Sequence, residues 1–261
     1  MFSCNLVIFI VSQNVMNTGS STLFADELAA NLRRVQATIE GACERAGRDL
    51  MSVEIVAVTK THPREVISKA YALGLRHFGE NRVQEALSKF NNINLVDEYP
   101  GAKLHLVGHL QSNKVRKALD LFDSLDSLDS RESAQEVASK AERLGVRRRM
   151  LIEVNTSGEA QKFGIVPEET LSLVEDILNV RSSLMDVAGL MTIGPNVDDE
   201  AAIRRSFAEL RALYDDVKEK LNPPQWSVLS MGMSGDYELA IEEGATEIRL
   251  GTALFGPRRM L

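Results

Sequence analysis

Val53-Glu54-Ile55-Val56-Ala57-Val58-Thr59-Lys60 is an apolar, β-branched run that closes on a lysine. A run of that length and composition reads as a strand. Comparable runs recur at residues 77–80, 104–110, 121–125, 150–155, 186–193, 227–231 and 247–250, making eight with the first. Helical patterns fill the intervals at 64–74, 82–89, 112–119, 131–144, 167–180, 198–220 and 236–243. Strands alternating with helices imply βαβ units and a parallel sheet. Eight such units are the count of a single (β/α)8 barrel, a TIM barrel. An open doubly wound sheet is the alternative, weakened because no GxGxxG opens a helix after the first strand. Only Gly256-Pro257-Arg258-Arg259-Met260-Leu261 closes the chain, too short for a last outer helix. The pattern at 24–46 repeats Leu28, Leu32, Val35 and Ile39 at helical spacing and stops at Gly47, so it can fill that gap.

The composition agrees with one sizeable core. The chain has 261 residues, 44% of them hydrophobic, 26% charged and only 5% aromatic. Thirty basic against 37 acidic residues give a net charge of -7, which argues against a general nucleic-acid binder and leaves room only for a local basic pocket. Cys4 and Cys43 offer neither a disulfide framework nor a metal pattern, so a reducing, cytoplasmic setting is expected. Residues 6–11 (LVIFIV) fall short of the roughly 20 needed to span a bilayer. They also lack the basic flank of an export signal. Met16 opens a second start, and residues 1–22 are expected to be a loose extension before a barrel domain over 23–261.

A barrel directs attention to the C-terminal ends of its strands, where active sites sit. Those ends read Lys60, Glu80-Asn81, His109, Asp126, Asn155, Met191-Thr192, Ser230–Ser234 and Arg249–Thr252. Lys60 stands above apolar walls. Desolvation lowers a lysine pKa, and a neutral amine forms Schiff bases, although a lone lysine closing a strand is more often a surface residue. Ser230-Met231-Gly232-Met233-Ser234-Gly235-Asp236 follows the seventh strand and opens a helix. Its two glycines allow close backbone approach, and Ser234 can cap the helix or hold a phosphate. Arg249-Leu250-Gly251-Thr252 follows the eighth strand. The recurrent phosphate site of these barrels uses those two loops. Ordinary glycine-bearing turns would look the same one at a time. Together with Lys60 they point to a phosphorylated aldehyde cofactor.

Seven blocks carry a resemblance: Val58–Lys60, Phe78–Arg82, Leu106–Lys114 (LVGHLQSNK), Val154–Gly164 (VNTSGEAQKFG), Gly189–Met191, Ser230–Asp236 (SMGMSGD) and Ile248–Gly256 (IRLGTALFG). In this order, over about residues 25–256, the chain resembles the pyridoxal phosphate homeostasis protein family, also called YggS/PROSC. The resemblance implies a barrel like the N-terminal domain of alanine racemase, with pyridoxal 5'-phosphate held as a Schiff base on Lys60. It implies that Ser234, Gly251 and Thr252 hold the phosphate with backbone help from Met233. Asn81 would lie beside the ring or its phenolic side, and Arg249 would face the ring nitrogen. Lys162 would stand at the mouth. The block holding His109 and Asn113 has no derivable role, and His109 reads equally well as a structural histidine.

The implied arginine bears on chemistry. A permanent cation at the ring nitrogen disfavours its protonation and weakens carbanion stabilisation. Alanine racemase works with such an arginine, but with a tyrosine acid from a second domain. Here Tyr71, Tyr99, Tyr214 and Tyr237 include no obvious counterpart. The leading expectation is therefore a binding protein that buffers and delivers pyridoxal phosphate without substantial turnover, a monomer with transient contacts to cofactor-requiring enzymes, and no membrane partner. A racemase-like enzyme is the alternative. A Schiff-base aldolase that binds no cofactor is a third reading.

Overall fold

The computed structural model describes residues 19–90, 95–179 and 184–257. Eight strands close into one parallel barrel in chain order: β1 Glu54–Val58, β2 His77–Glu80, β3 Lys103–Leu106, β4 Ser124–Leu128, β5 Arg148–Glu153, β6 Met185–Met191, β7 Val228–Ser230 and β8 Glu247–Leu250. Closure comes from β8 against β1, with Glu247 opposite Glu54 and Leu250 opposite Ala57. Around it run α1 Gly19–Arg45, α2 Glu65–Ala72, α3 Val83–Lys89, α4 Leu95–Glu98, α5 Val115–Leu121, α6 Arg131–Leu144, α7 Thr170–Asn179, α8 Glu200–Leu221, α9 Tyr237–Glu242 and α10 Thr252–Phe255.

Local chemistry explains the helix limits. Ser130 Oγ accepts from the Ser133 amide at 3.1 Å to start α6, and Gly145 ends it in the left-handed region. α1 buries Leu28, Leu32, Val35 and Ile39, as their spacing predicts. It packs on α9 and α10, and Asn31 Nδ2 donates to the Leu254 carbonyl at 2.8 Å. This helix thus takes the outer position expected for it, beside α9 and α10. It begins at Gly19, inside the stretch expected as an extension; residues 1–18, with the apolar run 6–11, lie outside the described residues. No helix among the described residues is long and apolar enough to cross a membrane.

The fourth strand differs from its sequence reading. It lies at Ser124–Leu128 rather than 121–125, because Leu121 completes α5 and Phe122 caps it through the Ala118 carbonyl. A short apolar run cannot by periodicity distinguish a helix end from a buried strand. The shift corrects the reading of Asp126 as a strand-end residue: it sits in mid-strand, fully buried. The four-residue helices α4 and α10 were also missed, each being too short to show a period.

Alternation along the strands divides the buried residues. Ala57, Phe78, Leu104, Ile248 and Leu250 join the large apolar core beneath the helices. Their neighbours Glu54, Val56, Val58, His77, His105, Glu247 and Arg249 therefore face the barrel axis. Part of the axis is apolar, in the clusters Val56–Val58–Val107 and Leu151–Ala188–Met191. β6 and β7 approach so closely that a Cβ at Gly189 would lie 1.7 Å from the Val228 carbonyl oxygen.

Towards the strand beginnings the axis is charged. His77 Nε2 meets Glu54 Oε1 at 2.7 Å, its Nδ1 meets His105 Nε2 at 2.9 Å, and His105 Nδ1 meets Asp126 Oδ2 at 2.8 Å. Arg149 binds Glu247 Oε2 at 2.7 Å and stands 3.5 Å from Asp126 Oδ1. A cavity of about 740 Å³ opens at this end, lined by Arg33 and Glu40 of α1 and by Glu54, Arg149 and Glu247.

Candidate functional site

The other end of the barrel carries the residues singled out from the sequence. Lys60 follows β1 in a turn closed by the His62 amide donating to the Thr59 carbonyl at 3.0 Å. It continues the inward register of residues 54, 56 and 58 and is half-buried. Asn81 follows β2. A Cβ at Gly108 would come within 2.4 Å of the Asn81 carbonyl oxygen, so the ends of β2 and β3 meet only because residue 108 is glycine.

Ser234 joins the two loops after β7 and β8. Its Oγ accepts from the Gly251 amide at 3.3 Å and the Ala253 amide at 3.1 Å. It therefore caps α10 across space, not the helix that follows it in sequence. With both lone pairs engaged, its O–H proton is the part left to donate. Gly232, at φ +93°, is needed here: a Cβ would lie 2.5 Å from Ala240 Cβ. Gly235 has open space around it and no such requirement. The Met233 amide donates to Asp236 Oδ1 at 2.6 Å, so that carboxylate holds the group expected to help a phosphate. Burial raises the Asp236 pKa against the pull of the Met233 amide and Arg249. Thr252 opens α10 and is exposed.

Arg249 lies inside the barrel, 4% exposed. Nη1 donates to Ser230 Oγ and Nη2 to the Thr192 carbonyl, each at 2.7 Å. Neutral acceptors thus orient the guanidinium. Burial lowers its pKa, and the more distant Glu247, Asp126, Glu153 and Asp236 oppose that. An arginine remains cationic in such a setting.

Three further groups complete this end. Glu153, last in β5, was passed over because its run reads on as apolar through Val154. It is 4% exposed. Burial pushes its carboxyl up to about 7, with Arg249 opposing and Asp129 adding to the rise. His109 pairs through Nδ1 with Asp129 Oδ2 at 2.6 Å and stacks on Phe163 at 4.3 Å. Lys162 is tied to the Gly194 carbonyl at 2.7 Å and to Glu159 Oε1 at 2.6 Å. Asn113 is exposed in the turn before α5. Of the tyrosines, Tyr71 and Tyr214 spend their hydroxyls on the carbonyls of Pro100 and Trp226.

A family model described as "Alanine racemase, N-terminal domain" matches residues 25–259. The chain is 41% identical over 228 residues to a pyridoxal phosphate homeostasis protein of Aquifex aeolicus, covering 87% of this chain and 97% of that one. It is 39% identical over 239 residues to the protein of that name from Homo sapiens, covering 87% and 85%. PipY of Synechococcus elongatus, solved with PLP bound, superposes with a TM-score of 0.74 at 34% identity, over 88% of this chain and all (100%) of that one. Alanine racemase of Clostridium difficile shares the fold alone: TM-score 0.71 at 16% identity, over 90% of this chain and 58% of the racemase.

Proposed function

Because this chain belongs to the pyridoxal phosphate homeostasis protein family, on the alanine racemase N-terminal barrel, we propose that it binds pyridoxal 5'-phosphate and serves to buffer and deliver it. The observation that carries the reading is Ser234, whose hydroxyl gathers the Gly251 and Ala253 amides at the barrel end where Lys60 emerges. Those groups fit a phosphate: the Ser234 hydroxyl proton is left to donate, and the two amides at the helix start would turn to the anion once it takes the place of the Ser234 oxygen. When bound, the cofactor supplies an aldehyde that condenses reversibly with an amine. Lys60 offers that amine. Ser234, Gly251 and Thr252 would hold the phosphate, with Met233 contributing backbone once Asp236 yields its amide. Asn81 would flank the ring. Arg249, fixed by Ser230 and Thr192, would offer the ring nitrogen a cation and so disfavour its protonation. The buried free thiol of Cys43 accords with a reducing, cytoplasmic setting. Delivery implies transient contact with enzymes that require the cofactor.

Ser234→Ala will weaken pyridoxal phosphate much more than pyridoxal, since only the former presents a dianion. One lost hydrogen bond to a charged group costs roughly 1.5–3 kcal/mol, about tenfold to a hundredfold in affinity. Equal losses for both ligands, read by parallel titrations, would contradict the assignment.

Turnover is the sharper question. Two-sided proton transfer needs a second acid; Tyr71 and Tyr214 spend their hydroxyls on carbonyls, and Arg249 at the ring nitrogen would weaken carbanion stabilisation. We expect L- and D-alanine incubated with the loaded protein in deuterium oxide to keep their configuration, and the cation of Arg249 to hold α-proton exchange well below turnover. Steady exchange at about 1–1000 per second, the ordinary enzyme range, and abolished by Lys60→Ala, would promote the racemase reading instead.

A further inference from the structure

Thr61 is one of two non-glycine residues with positive φ among those described, at +65°, and it directly follows Lys60. The other, Asn222, ends α8 as a left-handed cap, which asparagine tolerates. Thr61 is β-branched, and its position is the third in the turn Thr59–His62, a place that ordinarily calls for glycine when φ is positive. Strain of this kind persists only where surrounding contacts over-determine it.

Those contacts come from one short helix. Glu85 of α3 accepts from the Thr61 amide. Lys89, one turn on, donates to the Thr59 carbonyl at 2.8 Å and to Glu80 Oε1 at 2.5 Å. Thr59 Oγ1 donates to the same Glu80 oxygen at 2.6 Å. Lys89 and Glu80 are nearly or fully buried, with side-chain exposures of 6% and 0%. Among the described residues Glu80 Oε2 finds no hydrogen-bond partner. The pair lies outside the barrel wall, away from the axis. It fastens the residues that immediately precede Lys60 and Asn81.

We propose that Glu85 and Lys89 are positioning residues: α3 holds residues 59–61 in a strained turn and thereby aims the Lys60 amine for Schiff-base formation. A lysine at a relaxed strand end samples many directions, and attack on an aldehyde requires one. Fixing the backbone on both sides of Lys60 reduces that search. The inference rests on the reading of Lys60 as the attachment point.

The test compares pyridoxal phosphate with pyridoxine 5'-phosphate, which has the same ring and phosphate but an alcohol in place of the aldehyde. Lys89→Met and Glu85→Gln in the full chain are expected to weaken pyridoxal phosphate by about tenfold, the effect of losing one hydrogen bond at a charged group. Pyridoxine phosphate should bind as before, and Lys89→Arg should restore part of the loss. Because Lys89→Met leaves Glu80 buried without its cation and can fail to fold, Thr61→Gly is the second variant. It relieves the strain, so its thermal midpoint should hold or rise while Schiff-base formation slows. Parallel losses for both ligands, or no change for either, overturn the clamp. Borohydride labelling of the unsubstituted protein separates the two ideas. A label on Lys60 with variants that bind normally sinks the clamp alone, and a label found only elsewhere sinks both.

Discussion

Lys60→Ala is expected to abolish covalent capture of pyridoxal phosphate while leaving the barrel folded. In the unsubstituted protein, borohydride should fix the pyridoxyl group on the peptide that contains Lys60; in the variant no such peptide should appear. Non-covalent affinity through the Ser234–Gly251–Thr252 loops should remain, lower by roughly a hundredfold, which is about 2.8 kcal/mol. Folding should survive because Lys60 is half-buried in a turn at the barrel mouth, and its truncation opens no cavity in the main core. Circular dichroism and a thermal midpoint check that part. An unchanged yield of labelled protein in the variant would move the attachment point to another lysine and undo the assignment.

The second large effect is one of stability. Arg149 neutralises Glu247 and Asp126, which are 1% and 0% exposed. Arg149→Met removes the cation and leaves both carboxylates buried. Breaking a buried pair by deleting one partner costs about 3–5 kcal/mol. Denaturant unfolding should show a loss of that order at neutral pH. The pH dependence follows from Asp126. Burial raises its pKa, but His105 and then Arg149 outweigh burial and hold it below the ordinary 3.8. A depressed folded-state pKa contributes stability that is present above the unfolded value and lost as pH falls through the folded one. In Arg149→Met one of those cations is gone, so that contribution shrinks. The gap between the two proteins should therefore narrow as pH falls from neutral into the carboxylate range. A gap that is constant with pH would mean that Arg149 acts by packing and not by charge.

The placement of Lys60 and of the loops of Ser234 and Gly251–Thr252 beyond strand ends was legible because each follows directly on an apolar run, and barrels build their sites there. Arg249 was legible as to place, though its partners were not. Ser230 and Thr192 come from two other strands, and nothing near residue 249 in the chain announces them. Glu153 was invisible for a different reason: a strand end read as apolar hides the one carboxylate within it. The sequence leaves Ser234 two roles, cap of the helix after it or phosphate ligand; its hydroxyl instead meets the Ala253 amide of α10, 19 residues further along the chain.

The sequence by itself determined the eightfold alternation of strand and helix, the use of α1 as the last outer helix, and the lysine at the end of β1. All three rest on periodicity and order along the chain, which local backbone preference and amphipathic burial express directly. Only the tertiary structure decided that β4 lies three residues later than its apolar run, that Arg149 meets Glu247 across 98 residues of chain, and that α3 grips the turn of Lys60 from outside the barrel. These depend on barrel closure and strand register. Closure sets which buried charges become neighbours, and a charge buried without its partner costs more than local preference can supply.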